Sequence, residues 1–129
     1  MFVQNLQDCE EFIAGDRSIL RELLHPDKAP LDLRYSLAHA VIPAGATSSP
    51  HSLTTSEVYY ILSGEAQMHI GDEVQTIGPG DAVYIPPNAK QYVVNDGDQP
   101  LVFLCIVDPA WRVEDETIFE TTPSEATPS

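Results

Sequence analysis

From Leu33 onward the chain falls into a period of two: Tyr35, Leu37, His39 and Val41 alternate with Ser36, Ala38, Ala40 and Ile42. Alternation of this kind is the signature of a strand with one buried face, and Pro43 and Gly45 close it. Six further short apolar runs follow: EVYYIL, EAQMHI, VQTI, AVYI, QYVV and LVFLCIV. They are separated by Ser63-Gly64, Gly71-Asp72, Gly78-Pro79-Gly80, Pro86-Pro87-Asn88 and residues 95–100. Short strands at this spacing, punctuated by Gly and Pro, predict an antiparallel sandwich or barrel. Upstream, CEEFIAGDRSILRELLHP admits a helix broken at Gly15, or a loop followed by a strand over residues 18–24. The β pattern downstream and the stop at Pro26 favour the strand. The chain thus divides into an N-terminal segment, 1–33, with at least one strand packed on a barrel, the barrel itself, 34–113, and an acidic C-terminal tail, 114–129. The closing TTPSEATPS has almost no apolar content and is expected to be disordered.

Composition narrows this picture. At 129 residues the chain suits one domain, and about two-thirds of its unfolded surface can be buried without disulfide staples. Twenty acidic side chains against six Lys and Arg give a net charge of −14. A field of that sign repels phosphate backbones and anionic membrane surfaces, so neither nucleic acid nor a membrane is an expected partner. The two cysteines, Cys9 and Cys105, form no close pair, and Cys105 within LVFLCIV reads as a small core residue. The N-terminus lacks the basic lead and apolar run of a secretory signal. The longest apolar run is seven residues, Leu101 through Val107, against the ~20 that cross a bilayer as a helix. The expectation is a cytoplasmic protein.

The candidate chemistry lies in GATSSPHSLTTSEVYYILSG, where His51 and Glu57 stand just before an aromatic strand. Gly45, His51, Glu57 and Gly64 recur at the spacings of the first motif of the cupin family, with Leu53 where that motif has a second His. GDAVYIPPNAKQYVVN supplies Gly80, Pro86 and Asn95 of the second motif, with Asn88 in place of a Gly and Gln91 in place of a His. Asn tolerates left-handed backbone, so that first exchange is conservative. Fifteen residues separate the motifs. Over residues 34–107 the chain therefore resembles a small single-domain cupin of the conserved-barrel type, similar to the mannose-6-phosphate isomerase group. The resemblance implies an all-β, antiparallel double-stranded β-helix (a jelly-roll barrel). It also implies a site. In metal-binding cupins the motif residues hold one divalent ion inside the barrel, and carried over here they become His51, Glu57 and Gln91, with a ligand lost at Leu53. Imidazole, carboxylate and amide oxygen are legitimate donors for Mn, Fe, Ni, Cu or Zn, although an amide is the weakest of them. The other reading makes His51 and Glu57 hydrogen-bonded polar residues of a pocket for an organic ligand.

Taking Ser63-Gly64 as a two-residue hairpin turn pairs Leu62 with Glu65. Tyr59 then faces Met68 and Glu57 faces Ile70, so Tyr59, Leu53 and Met68 are the candidate pocket residues, while His69 lies on the other face opposite Val58. His39 reads as a satisfied polar residue or interface contact, His25 as a loop residue, and Lys90 as turned away from Gln91. Two function classes remain open: a metal-dependent isomerase or oxygenase acting on a small polar metabolite, and a non-catalytic sensor or carrier that binds its ligand without metal. The scarcity of basic residues suits a phosphorylated sugar poorly. A homodimer is expected, because antiparallel edge strands need cover and EVYYIL and LVFLCIV are apolar on both faces.

Overall fold

The computed structural model describes residues 1–119. Their strands are β1 (Glu11–Ile13), β2 (Ile19–Leu24), β3 (Ser36–Ile42), β4 (His51–Leu53), β5 (Ser56–Ser63), β6 (Ala66–Ile70), β7 (Glu73–Ile77), β8 (Ala82–Ile85), β9 (Gln91–Val94), β10 (Leu101–Asp108) and β11 (Glu116–Ile118). They form two sheets, ordered β1-β2-β3-β10-β5-β8 and β11-β4-β9-β6-β7, and every pairing is antiparallel. This is the double-stranded β-helix expected from the sequence. Alternation drives it: Ala38, Ala40 and Ile42 of β3 are buried while Leu37, His39 and Val41 are only half covered. Inner-face side chains of the two sheets meet in one core built around Ala40, Ile61, Met68, Ile85, Val93 and Phe103. The N-terminal strand expected over residues 18–24 is β2, and β1 adds a hairpin to it that the ambiguous sequence did not reveal.

One turn differs from the reading above. Ser63-Gly64 is not a hairpin turn, because β5 lies in the first sheet and β6 in the second. Leu62 and Glu65 are therefore not paired. Met68 has Gln75 and Val93 as its cross-strand partners instead of Tyr59, and His69 lies between Val74 and Tyr92, stacking its ring on Tyr92 at 4.2 Å. The physical reason sits at Gly64. Its φ is +85° and its Cα packs against the Pro100 and Leu101 backbone, so the chain can cross between the sheets there. Gly71-Asp72 is a true two-residue hairpin, joining Ile70 to Glu73.

The second motif's Asn residues have distinct backbone duties. Asn88 adopts φ +68°, the left-handed conformation inferred for it. Asn95, fully buried, donates through Nδ2 to the carbonyls of Ile42, Pro43 and Gln99 and accepts from the Gly97 N–H, which ties three loops together. Glu116–Ile118, inside the segment expected to be an acidic tail, is a strand paired with β4. TTPSEATPS lies outside the described residues.

Candidate functional site

Four strands and one loop turn polar groups toward a single cavity of about 280 Å³. His51 and Leu53 share the inner face of β4 and line it. Glu57 and Tyr59 come from the inner face of β5, and Cys105 and Phe103 from β10. Asp16 enters from the β1–β2 loop and Glu116 from β11. Phe12, Leu20, Ala38, Val107 and Trp111 make up much of the apolar wall. At the rim the Lys28 ammonium is joined to the Glu22 carboxylate.

Behind the cavity wall runs a closed set of hydrogen bonds. Gln91, directly opposite His51 in the sheet and 1% exposed, donates through Nε2 to Glu57 Oε1 at 2.7 Å and accepts from the Tyr59 hydroxyl through Oε1 at 2.8 Å. Glu57 Oε2 accepts from the Cys105 thiol at 2.8 Å. Burial raises the Glu57 carboxyl above its ordinary range, opposed by the hydrogen bonds from Cys105 and Gln91 and by the neighbouring His51. Burial also pushes the Tyr59 hydroxyl and the Cys105 thiol well up, and Glu57 adds to both. Both therefore stay protonated donors. The charged atoms of Glu57 are fully engaged.

His51 is the group left open. It is 3% exposed, and its Nδ1 lies 3.2 Å from the Ser49 carbonyl oxygen, which can only accept, so Nδ1 carries the hydrogen. In the neutral ring Nε2 then carries the lone pair, and it has no hydrogen-bond partner among the described residues. Glu116 Oε2 lies 4.0 Å from that Nε2, and Asp16 Oδ2 lies 3.9 Å from Nδ1. Asp16 is itself fixed by accepting from the backbone N–H and the hydroxyl of Ser18. Burial raises the Glu116 carboxyl, with His51 pulling the other way and Asp16 and Glu57 adding to the rise.

The expected residues are thus distributed unevenly. His51, Glu57, Leu53 and Tyr59 all line the cavity, whereas Gln91 is sealed behind it and Met68 belongs to the core beside a separate groove. The set His51, Glu57 and Gln91 does not present itself as a ready metal cage. Glu57 and Gln91 are hydrogen-bonded to each other, and among the described residues no group of three or more His, Cys, Asp or Glu is arranged to hold an ion. Sequence reasoning missed Asp16, Glu116, Cys105 and Trp111. Asp16-Arg17-Ser18 carries a weak signal, an Asx turn capped by Ser18; Glu116 carries none, since only the β4–β11 pairing brings it inward. Of the remaining histidines, His25 is buried, with Nε2 donating to the Trp111 carbonyl and Nδ1 accepting from the Asp27 N–H. His39 faces outward beside Arg21, and burial lowers its pKa. Lys90 lies over the Phe119 ring, away from Gln91.

A double-stranded β-helix enclosing a largely apolar cavity with inward-facing His, Asp and Glu side chains defines the class of this molecule. The Cupin domain family matches residues 38–107, and the chain belongs to the cupin family. It is 39% identical over 110 residues to an uncharacterised protein of Methanocaldococcus jannaschii, covering 84% of this chain and 87% of that one. It is 31% identical over 98 residues to the glucose-6-phosphate isomerase of Pyrococcus furiosus; that match takes in 71% of this chain and 47% of the isomerase, so the likeness spans about half of that relative's length. The solved structure of Streptomyces Pac13, a nucleoside dehydratase, superposes with a TM-score of 0.76 at 17% identity, covering 93% of this chain and 92% of that one, a likeness of fold.

Proposed function

We propose that this cupin binds a small polar organic molecule in the cavity beneath β1 and β2 and moves protons on it through His51. One observation carries the reading: a nearly fully buried imidazole whose Nδ1–H is anchored to Ser49 and whose Nε2 lone pair opens on a ligand-sized space without a partner. Glu116, raised by burial, stands 4.0 Å away as a carboxyl that holds its proton to higher pH. A base and an acid with environments this different suit proton removal at one atom and delivery at another. On an α-hydroxy carbonyl, His51 Nε2 takes the proton of the hydroxyl-bearing carbon while the carbonyl oxygen takes one from Glu116, giving an enediol. The His51 imidazolium then gives its proton to the neighbouring carbon while the Glu116 carboxylate takes the proton of the original hydroxyl oxygen, which completes an isomerisation and restores both groups. Tyr59, Gln91 and Cys105 hold Glu57 still and keep the wall rigid. The names of two similar proteins, an isomerase and a dehydratase, describe reactions of this general kind.

A metal-dependent reaction at His51, Glu57 and Gln91 remains the competing reading, and it requires the Gln91–Glu57 hydrogen bond to open. Deuterium exchange separates the two. The full chain is incubated in D2O with glyceraldehyde, dihydroxyacetone, glucose or glucose 6-phosphate in the presence of EDTA, and incorporation is read by mass spectrometry. The expected result is incorporation into at least one substrate, reduced tenfold or more in His51→Gln. Incorporation only after Mn, Fe, Ni, Cu or Zn is added would establish the metal-dependent reading. Calorimetric binding of a panel member without exchange would establish a carrier or sensor.

A further inference from the structure

We propose that the molecule taken by this cavity is cationic, an organic compound bearing a primary or secondary ammonium group held between Asp16 and Glu116. The inference rests on the reading of the cavity as a binding site and adds the chemical class of its occupant. Four carboxyl groups line the space: Asp16, Glu22, Glu57 and Glu116. The one Lys or Arg among the lining residues is Lys28, and its ammonium is already joined to Glu22 at the rim. Glu57 is satisfied from behind by Gln91 and Cys105. Asp16 and Glu116 have no Lys or Arg beside them, although the Trp111 side chain donates a hydrogen bond to Glu116. Asp16 Oδ1 accepts from Ser18, while Oδ2 is left beside one nitrogen of His51 and Glu116 Oε2 beside the other.

Buried carboxylates without a cation are unfavourable, and this pair flanks an imidazole whose free nitrogen is an acceptor. With Glu116 ionised and His51 neutral the site offers three acceptors, and a bound ammonium ion favours the ionised form of Glu116 that burial opposes. A phosphate or carboxylate ligand would bring more acceptors and more negative charge into it. An ammonium brings two or three N–H donors and the missing positive charge. Its carbon skeleton would rest against Leu20, Ala38, Leu53 and Phe103, and Phe12 and Trp111 supply ring faces that attract a cation. The 3% exposure of His51, with Nε2 unpartnered and facing the cavity, makes this a site instead of a surface cluster of acids.

The test is calorimetry on the full chain at pH 7.5 with EDTA, using matched pairs: benzylamine and benzyl alcohol, glucosamine and glucose, 1-amino-2-propanol and propane-1,2-diol, with glucose 6-phosphate as the anionic probe. At least one amine is expected to bind tenfold or more tightly than its hydroxyl counterpart. Glu116→Gln is expected to weaken that amine at least tenfold and to leave the paired alcohol within threefold. Asp16→Asn tests the second carboxylate, and because it also touches Ser18 its fold is checked by circular dichroism; Glu116→Gln decides if Asp16→Asn unfolds. Equal binding of amine and alcohol would overturn the ammonium assignment and leave the cavity reading intact. Tighter binding of glucose 6-phosphate would do the same. Absence of binding by every probe would overturn both. A fourth outcome, Mn²⁺ binding without EDTA that Glu116→Gln abolishes while no amine binds, would give these carboxylates to a metal and overturn the proposal.

Discussion

Glu57 is a carboxyl at 5% exposure that accepts two side-chain hydrogen bonds, from Gln91 and Cys105, and Gln91 in turn accepts from Tyr59. Burial raises its pKa and also that of Glu116, so above pH 4.5 the folded chain binds protons that the unfolded chain has released. Stability therefore falls as pH rises from about 4.5 through the raised values of these two groups. Asp27 shifts the other way through its hydrogen bond from Arg112, but its window lies below 3.8. His39, whose pKa burial lowers, adds stability as pH rises toward 6.5, so the comparison is between chains. In thermal melts from pH 4.5 to 8 the parent should lose melting temperature with rising pH relative to Glu57→Gln, and equal slopes would mean that Glu57 does not titrate in this range. Leu53 yields a second prediction at this scale. It is buried on the same strand face as His51 and opens on the same cavity. Changing Leu53 and Gln91 together to His should rebuild the family's metal-ligand set and tighten Ni²⁺ or Mn²⁺ binding about ten- to a hundredfold over the parent in calorimetry. A folded double variant that binds no better would show that β4 and β9 do not aim these positions at one point.

Among the elements, the junction between β5 and β6 decides most. Gly64 holds φ +85°, and a Cβ there would press into the Pro100 carbonyl and come within 3.0 Å of the Leu101 Cα. Both neighbours are backbone and cannot swing away. Gly64→Ala should lower stability by more than about 2 kcal/mol, measured by urea unfolding. Alanine at Gly71, whose φ is +58° but whose surroundings are open, should show a smaller loss, because it adds strain without collision. If the two losses match, the close approach to Pro100 contributes nothing.

At the scale of the molecule, the outer face of the first sheet stands out by its chemistry. Leu37, Val41, Val58, Tyr60, Leu104 and Ile106 lie on it around His39 and Arg21, and Tyr60 and Tyr84 are strongly exposed. None of these positions is acidic in a chain of charge −14. We propose that a second copy covers this face, sheet against sheet. Sedimentation at micromolar concentration should show a dimer, and Tyr60→Asp with Leu104→Asp should convert it to a monomer that keeps its fold by circular dichroism. A monomeric parent would remove the proposal.

Much of this architecture was written in local pattern. Period-two alternation marked β3 and the apolar runs marked the strands after it, because each strand's inner face must be apolar wherever it lies in the barrel. Gly45, Gly64, Gly80 and Asn88 announced turns because left-handed backbone selects those residue types, and the likeness of the His51 and Glu57 stretch to the cupin motif implied that both turn inward. The sequence could not tell which strands pair. Ser63-Gly64 has the look of a hairpin, and only the packing of Gly64 on Pro100 sends the chain across to the other sheet. Nor could it show what surrounds His51. Asp16, Glu116 and Cys105 are 35, 65 and 54 residues away along the chain, and no local periodicity relates them. They meet because β4 lies between β11 and β9 in one sheet while β10 and the β1–β2 hairpin close over it from the other. Local sequence set the inner faces of the strands. Sheet pairing decided which inward residues became neighbours, and with them the charge of the cavity.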